Sequence, residues 1–267
     1  MTTLAGKILD IVPGPGPTPT VASVGLSADK SILSYADSQS ATLSATVLDS
    51  NDDPMEGVTV TFYNGSTSMG TADTNSSGVA TKSYASSGVG DVSFTAVVGT
   101  ISSETYELED CIFYGLNTNA FTIPSNTTFS SNGQYITATT STTGEKIVYF
   151  NHTFSNNDNW VFENEVAYKG ESEQLLAIIW NDNTYYGGAG YGENYVYSHM
   201  GSQTKKTHTV AIGDKFTVRR ENGTTSVYIN GDLIESKTVS HKSTFKVGYF
   251  INKGRTQYYK NIKIKPL

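Results

Sequence analysis

The densest group of chemically useful side chains runs from Trp180 to Tyr197, WNDNTYYGGAGYGENYVY, with one Trp, five Tyr and four Gly in eighteen residues. Tyr and Trp each offer an apolar face and a polar tip, which suits stacking on a sugar ring. The glycines let the backbone turn sharply and approach a ligand closely. Asp182, Asn183, Glu193 and Asn194 supply planar polar groups for sugar hydroxyls. Trp180 ends the apolar run LLAIIW and is assigned to a core, whereas Tyr185, Tyr186, Tyr191 and Tyr195 follow turn-rich sequence and are expected at the surface. The candidate binding set is therefore these four tyrosines with Asp182, Asn183 and Asn194, joined by His152 if the strand FNHT faces a binding surface. The competing reading is a Gly-rich loop whose tyrosines pack on their own sandwich. Arg219 and Arg220 could add to a site, but alternation along a strand lets at most one of them point there.

The elements that must position these groups read as strands. Alternating apolar and polar residues recur from Ala41 to Ile264, helix signals are scarce, and Thr, Ser, Gly, Asn, Val and Tyr dominate. The 267 residues suffice for one large β domain or two smaller ones. The net charge of −7 disfavours nucleic acid as a partner. It is unevenly spread: residues 21–110 hold two basic against twelve acidic residues, and residues 111–267 hold fifteen against twelve. The single cysteine, Cys111, excludes an intrachain disulfide and mildly favours folding in a reducing compartment. MTTLAGKILDIVPGPG does not read as a signal peptide, and no apolar run approaches a membrane span.

Three segments follow from composition. Residues 1–20 combine a short apolar peptide with the spacer PGPGPTPT, which keeps the chain extended. The peptide is either a docking element for a larger assembly or a disordered tail. Residues 21–110 read as a small sandwich, with Ala41, Leu43, Ala45 and Val47 on one face, then Val58, Val60 and Phe62, then Val92, Phe94 and Ala96. Residues 111–267 hold thirteen of the seventeen tyrosines, both tryptophans and all four histidines. Strands are expected there at 135–139, 146–154, 160–168, 174–180, 195–199, 208–212, 215–221, 225–230, 233–239, 244–251 and 258–264. Asn222-Gly223 and Asn230-Gly231 are hairpin turns.

Two resemblances sharpen the outline. The string Pro54-Met-Glu-Gly57-Val58-Thr-Val60-Thr-Phe62, followed by Gly70-Thr71-Ala72-Asp-Thr74-Asn-Ser-Ser-Gly78-Val79-Ala80, resembles the bacterial Ig-like repeats of invasin-type adhesins and phage tail proteins. That resemblance implies a spacer module, with Gly57 and Gly78 in turns. The stretch from Phe216 to Leu233, through Asn222-Gly223 and Tyr228-Ile229-Asn230-Gly231, is similar to a hairpin of concanavalin A-like and laminin G-like domains. Val247-Gly248-Tyr249-Phe250 and Tyr259-Lys-Asn261-Ile262-Lys-Ile264 are similar to their last two strands. The implied fold is all-β, an Ig-like β-sandwich followed by a concanavalin-like jelly-roll sandwich.

That fold carries lectins, glycanases and plain adhesive domains alike, so each chemistry is weighed on its residues. The retaining glycanases of the fold carry E-x-D-x-E; here Phe162-Glu163-Asn164-Glu165-Val166 lacks the central Asp, and a solvated strand face is the preferred reading of Glu163 and Glu165. His152, His199, His208 and His241 show no zinc spacing. Asp182 resembles loosely the calcium-binding Asp and Asn pair of legume-type lectins, without their full ligand spacing. No metal and no cofactor are expected, with calcium as the open alternative. Lys237, Lys242, Lys246, Lys253, Arg255, Lys260, Lys263 and Lys265 form a basic tail region, either a solvated face or an attraction for an anionic cell-wall polymer.

The expected function is that of a non-enzymatic, virion-associated adhesin. Its jelly roll would bind a host-surface glycan or cell-wall polymer, and its N-terminal segment would bind other virion proteins. The rivals are a purely structural decoration or fibre protein whose jelly roll forms a homo-oligomer, an unusual glycanase, and a prokaryotic cell-surface adhesin.

Overall fold

A computed structural model of the chain describes residues 19–134, 136–140, 146–155, 157–167, 174–181, 184–191, 195–199, 203–238, 244–251 and 256–267. Among the described residues it is all-β apart from one 3-10 turn at Thr118–Ala120, and no helix is long and apolar enough to cross a membrane.

The N-terminal strands form two sheets. One orders Val21–Ala28, Ser40–Asp49 and Val79–Ala85. The other orders Ile32–Ser34, Tyr106–Cys111, Gly90–Val98, Thr59–Asn64 and Thr67–Asp73, with Ile101–Ser102 beside Gly90–Val98. Ala41, Leu43, Ala45 and Val47 are buried in alternation along their strand, as are Val60 and Phe62, and Val92, Phe94 and Ala96. Period-two alternation buries one face of each strand and leaves the other to water, the arrangement of an Ig-like sandwich. Gly57 and Gly78 both have positive φ, 73° and 70°. At Gly78 a Cβ would also stand 2.7 Å from the Val47 carbonyl oxygen, so only glycine closes that turn.

The chain divides into two compact units, one of Met1–Ser27, Leu43–Lys82 and Phe94–Tyr106, the other of Ala28–Thr42, Ser83–Ser93 and Glu107–Leu267. Within the second unit two large antiparallel sheets build a jelly-roll sandwich. The first orders Thr127–Ser131, Ile136–Thr140, Thr256–Pro266, Trp160–Val166, Lys215–Glu221, Thr224–Ile229 and Asp232–Thr238. The second orders Phe121–Thr122, Lys146–Phe150, Thr244–Ile251, Gln174–Asn181, Thr184–Tyr191, Tyr195–His199 and Gln203–Thr207.

Their inner faces meet in one core that includes Trp160, Phe162, Phe216, Val218, Val227, Phe245, Val247, Tyr249, Tyr259 and Ile264. Phe154 stacks on Phe245 at 5.5 Å, and Tyr249 lies 3.8 Å from Tyr259 between ring centroids. Gly248 lets two strands of the second sheet close up, since a Cβ there would sit 2.2 Å from the Val148 carbonyl oxygen. Arg220 also faces inward, at 1% exposure. Its guanidinium lies over the Phe245 ring and donates to the Gly223 carbonyl and Thr225 hydroxyl.

The expected strands at 195–199, 215–221 and 244–251 form with those bounds. Two expectations need correction. Residues 208–212 are not a strand: Val210 alone is buried there, and Asp214 accepts from the Ala211 N–H to close a turn with Ile212 outside. The turn-rich part of the Tyr-rich stretch, ahead of the expected strand at 195–199, is itself a strand. The stretch contains the strands Thr184–Tyr191 and Tyr195–His199, paired through Ala189 with Ser198, Gly190 with Tyr197 and Tyr191 with Val196.

Candidate functional site

The sheet carrying Trp160–Val166 turns four neighbouring strands toward an open cleft. Alternation puts Val161 and Glu163 outward on Trp160–Val166, Lys215, Thr217 and Arg219 outward on Lys215–Glu221, and Ser226 and Tyr228 outward on Thr224–Ile229. Cross-strand pairing sets them in two rows. One runs Lys265, Val161, Arg219, Ser226 and the other Lys263, Glu163, Thr217, Tyr228. The lysines reach this face because of a bulge. Alternation counted from the buried Tyr259 would send Lys263 and Lys265 inward. Asn261, at φ 49° opposite the Glu163/Glu165 register shift, adds a residue and reverses the phase, so Ile262 and Ile264 enter the core instead.

The cleft encloses about 760 Å³ and is lined by these side chains other than Ser226, together with Asp91, Glu109, Asn230 and Leu267. Its charges form an alternating chain. Glu163 accepts from Lys215 at 2.6 Å and from Lys263 at 3.0 Å. Lys263 also meets Glu109 at 2.9 Å, Glu109 meets Lys265 at 3.3 Å, and Lys265 meets Asp91 at 2.7 Å. Burial alone would raise the Glu109 carboxyl, but Lys263 and Lys265 hold it below its ordinary value. Burial alone would lower the Lys263 ammonium, but Glu109 and Glu163 hold it above the usual lysine range. Both groups therefore stay charged at neutral pH.

Exposure sorts these groups. The side chains of Glu163, Lys263 and Lys265 are only 13%, 15% and 12% exposed, whereas Lys215 and Arg219 are 54% and 42% exposed. Arg219 pairs with Glu221 at 3.0 Å, outside the cleft lining, and its Nε makes no hydrogen bond among the described residues. Asn230 is committed to the hairpin: it accepts from the Lys215 N–H and donates to Asp214, both at 2.8 Å. The groups available to a ligand are thus the Tyr228 ring and the guanidinium of Arg219, beside the largely buried Thr217. Alternation does separate the two arginines, Arg219 to the cleft and Arg220 to the core.

The residues singled out from sequence do not gather here. Tyr191 is 1% exposed and packs against Phe216 at 5.9 Å, so it belongs to the core and not to a binding surface. Ala189 and Tyr191 are both buried at two-residue spacing, which the surrounding glycines disguise as loop. Burial raises the Tyr191 phenol, whose oxygen finds no hydrogen-bond partner among the described residues. His152 is half-buried, edge-on to Phe154 at 4.7 Å, and its imidazole is lowered by burial against the opposing charge of Asp158. It packs beside a strand of the other sheet and does not line the cleft. Tyr185 and Tyr195 lie on strands, as does Tyr186, while Asp182, Asn183 and Asn194 fall outside the described residues.

Glu163 and Glu165 share the outer face, as alternation requires, but each is held by lysine, Glu165 by Lys260 at 2.7 Å. Sequence reasoning missed Thr217 and Tyr228, and it missed Asp91 and Glu109, whose partners lie more than 150 residues away along the chain. Tyr228 had a signal: it sits two residues before an Asn-Gly turn, on the strand face opposite the apolar Val227 and Ile229. Among the described residues no group of three His, Cys, Asp or Glu side chains is arranged to hold a metal ion.

Residues 24–109 match the bacterial Ig-like domain family (group 1). None of the curated proteins matches the chain. Among solved structures, the carbohydrate-binding module CBM66 from Bacillus subtilis is similar over 55% of this chain and 95% of its own, at 12% identity and a TM-score of 0.42. The carbohydrate recognition domain of Emp47p is similar over 57% of this chain and 97% of its own, at 11% identity and a TM-score of 0.40. A sialidase is similar over 66% of this chain and 21% of its own, at 7% identity and a TM-score of 0.45.

Proposed function

We propose that this protein is a non-enzymatic adhesin whose jelly roll binds a surface glycan or cell-wall polymer, with the Ig-like sandwich as its spacer. The observation that carries this reading is the sheet-face cleft. There an aromatic ring lies beside a guanidinium, and the lining Asp91, Glu109 and Glu163 are each neutralised by a lysine. An aromatic face plus directional donors is what reversible sugar recognition requires. Carboxylates held in ion pairs are poor general acids and bases, so the cleft is suited to holding a ligand and not to cleaving it.

The setting we propose is a virion, with residues 1–20 as the attachment to other virion proteins. Weak single-site binding then becomes effective through many copies on one particle. Titration of the full chain against a panel of glycans and cell-wall polymers, with Tyr228→Ala alongside, tests the reading. Binding that the substitution abolishes supports it. Binding that survives in Tyr228→Ala and disappears in Tyr185→Ala or Tyr186→Ala moves the site to the Tyr-rich hairpin. No binding to any saccharide sinks the adhesin reading in favour of a structural role.

A further inference from the structure

The cleft is not neutral toward the charge of its ligand. Lys215, Lys263 and Lys265 are matched by Glu163, Glu109 and Asp91 within the cleft itself. Arg219 differs, because its carboxylate partner Glu221 is not part of the lining. Glu221 is 48% exposed, and a surface pair of this kind contributes little and yields readily to a competing anion. The guanidinium fork takes a carboxylate or phosphate through parallel hydrogen bonds, which no neutral hydroxyl can match in strength. Arg219 pairs across the strands with Ser226 and Thr217 with Tyr228, so Arg219 and Tyr228 are diagonal neighbours about 7 Å apart. A saccharide ring lying on Tyr228 can therefore reach Arg219 with an acidic substituent.

We propose that the cleft selects an acidic saccharide, with a carboxylate or phosphate group of the ligand on Arg219 and a sugar ring on Tyr228. The inference rests on the glycan-binding reading above and adds the charge class of the ligand. Uronate polymers and glycosyl or glycerol phosphate polymers present this same chemistry.

The test is calorimetric titration of the full chain with polygalacturonate, with poly(glycerol phosphate) and with a neutral galactan. Wild type, Arg219→Gln and Arg219→Lys are compared, and thermal melts verify that each variant is folded. One acidic polymer is expected to bind about tenfold or more tighter than the neutral one, the scale of one charge-assisted hydrogen bond. The arm that responds distinguishes uronate from phosphate. Arg219→Gln is expected to cost acidic-polymer affinity about tenfold more than neutral-polymer affinity, and so to erase this preference. Arg219→Lys should restore it only in part, because an ammonium lacks the fork. If Arg219→Gln fails to fold, the wild-type salt series decides: acidic-polymer affinity must fall with ionic strength while neutral affinity holds. A neutral polymer that binds as tightly as the acidic ones, in a manner dependent on Tyr228, overturns this inference and leaves the adhesin reading standing. An acid preference that Arg219→Gln retains overturns it as well. Failure of every polymer to bind overturns both.

Discussion

Asp110 gives the most exacting test of the physical account. Its carboxylate is fully buried, and its Oδ2 accepts from the Tyr84 hydroxyl at 2.6 Å, the Ser87 N–H at 2.9 Å and the Ser87 hydroxyl at 3.1 Å. Its Oδ1 accepts from the Ser86 hydroxyl. Burial alone would raise this carboxyl, but the bonds from Ser86, Tyr84, Ser87 and Gly88 outweigh it and hold the group below its ordinary value. In Asp110→Asn the amide carbonyl can keep the Oδ2 partners, and the Ser86 hydroxyl can rotate to accept from the new amide. What disappears is the charge on about three retained bonds, worth about 1 kcal/mol each and so about 3 kcal/mol together. For a chain of this size that corresponds to a fall in Tm of about 6–12 °C.

The pH dependence supplies the sign. A carboxyl whose folded pKa is depressed contributes stability that is complete above the unfolded value, about 3.9, and is lost as pH falls through the folded value. The gap between wild type and Asp110→Asn should therefore be widest near neutrality and narrow in acid. Thermal melts of both proteins across that range measure it. A gap that stays constant with pH, or a neutral-pH shift below about 2 °C, would refute the reasoning.

Three further outcomes follow from burial and packing. Tyr191→Phe removes a buried hydroxyl that has no hydrogen-bond partner among the described residues, so it should raise stability by about 1 kcal/mol in a denaturant titration. Gly248→Ala drives a Cβ to 2.2 Å from the Val148 carbonyl oxygen, where only backbone movement can relieve it; a loss of about 3 kcal/mol or more is expected from the same titration. Burial pushes the Cys111 thiol up to about 12, and the residue has no exposed surface. A thiol reagent at mildly alkaline pH should therefore leave the native protein unlabelled and modify one group per chain once urea is added.

The sequence made the fold legible where alternation was clean. Ala41 to Val47, Phe216 to Ile229 and Phe245 to Ile251 bury the residues their spacing requires, and the two Asn-Gly turns take positive φ at Asn222 and Asn230. It was misleading where glycine diluted the pattern. The segment Thr184–Tyr191 carries the alternating pair Ala189 and Tyr191 on its inner face, yet its glycines read as loop and its tyrosine as exposed. The cleft was legible only in fragments. Glu163 and Arg219 could be assigned to outward faces from their own strands. Lys263 and Lys265 could not, because their direction depends on the bulge at Asn261, and a bulge is a property of two strands together. Asp91 and Glu109 were beyond local reading, since nothing near them in the chain indicates that their partners lie at its far end.

The ion chain from Lys215 through Glu163, Lys263, Glu109 and Lys265 to Asp91 restricts how these positions can drift over evolutionary time. Loss of Glu163 alone would strand Lys215 and leave Lys263 to Glu109, and loss of Lys263 would leave Glu163 and Glu109 without the cation between them. A single substitution inside such a sequence of alternating charges is more costly than a paired one, because the remaining partner keeps its desolvation without its counter-charge. Relatives that retain the cleft should accordingly change these six positions in coupled pairs, or reverse their signs together. Their covariation would be a record of this contact readable from sequences alone.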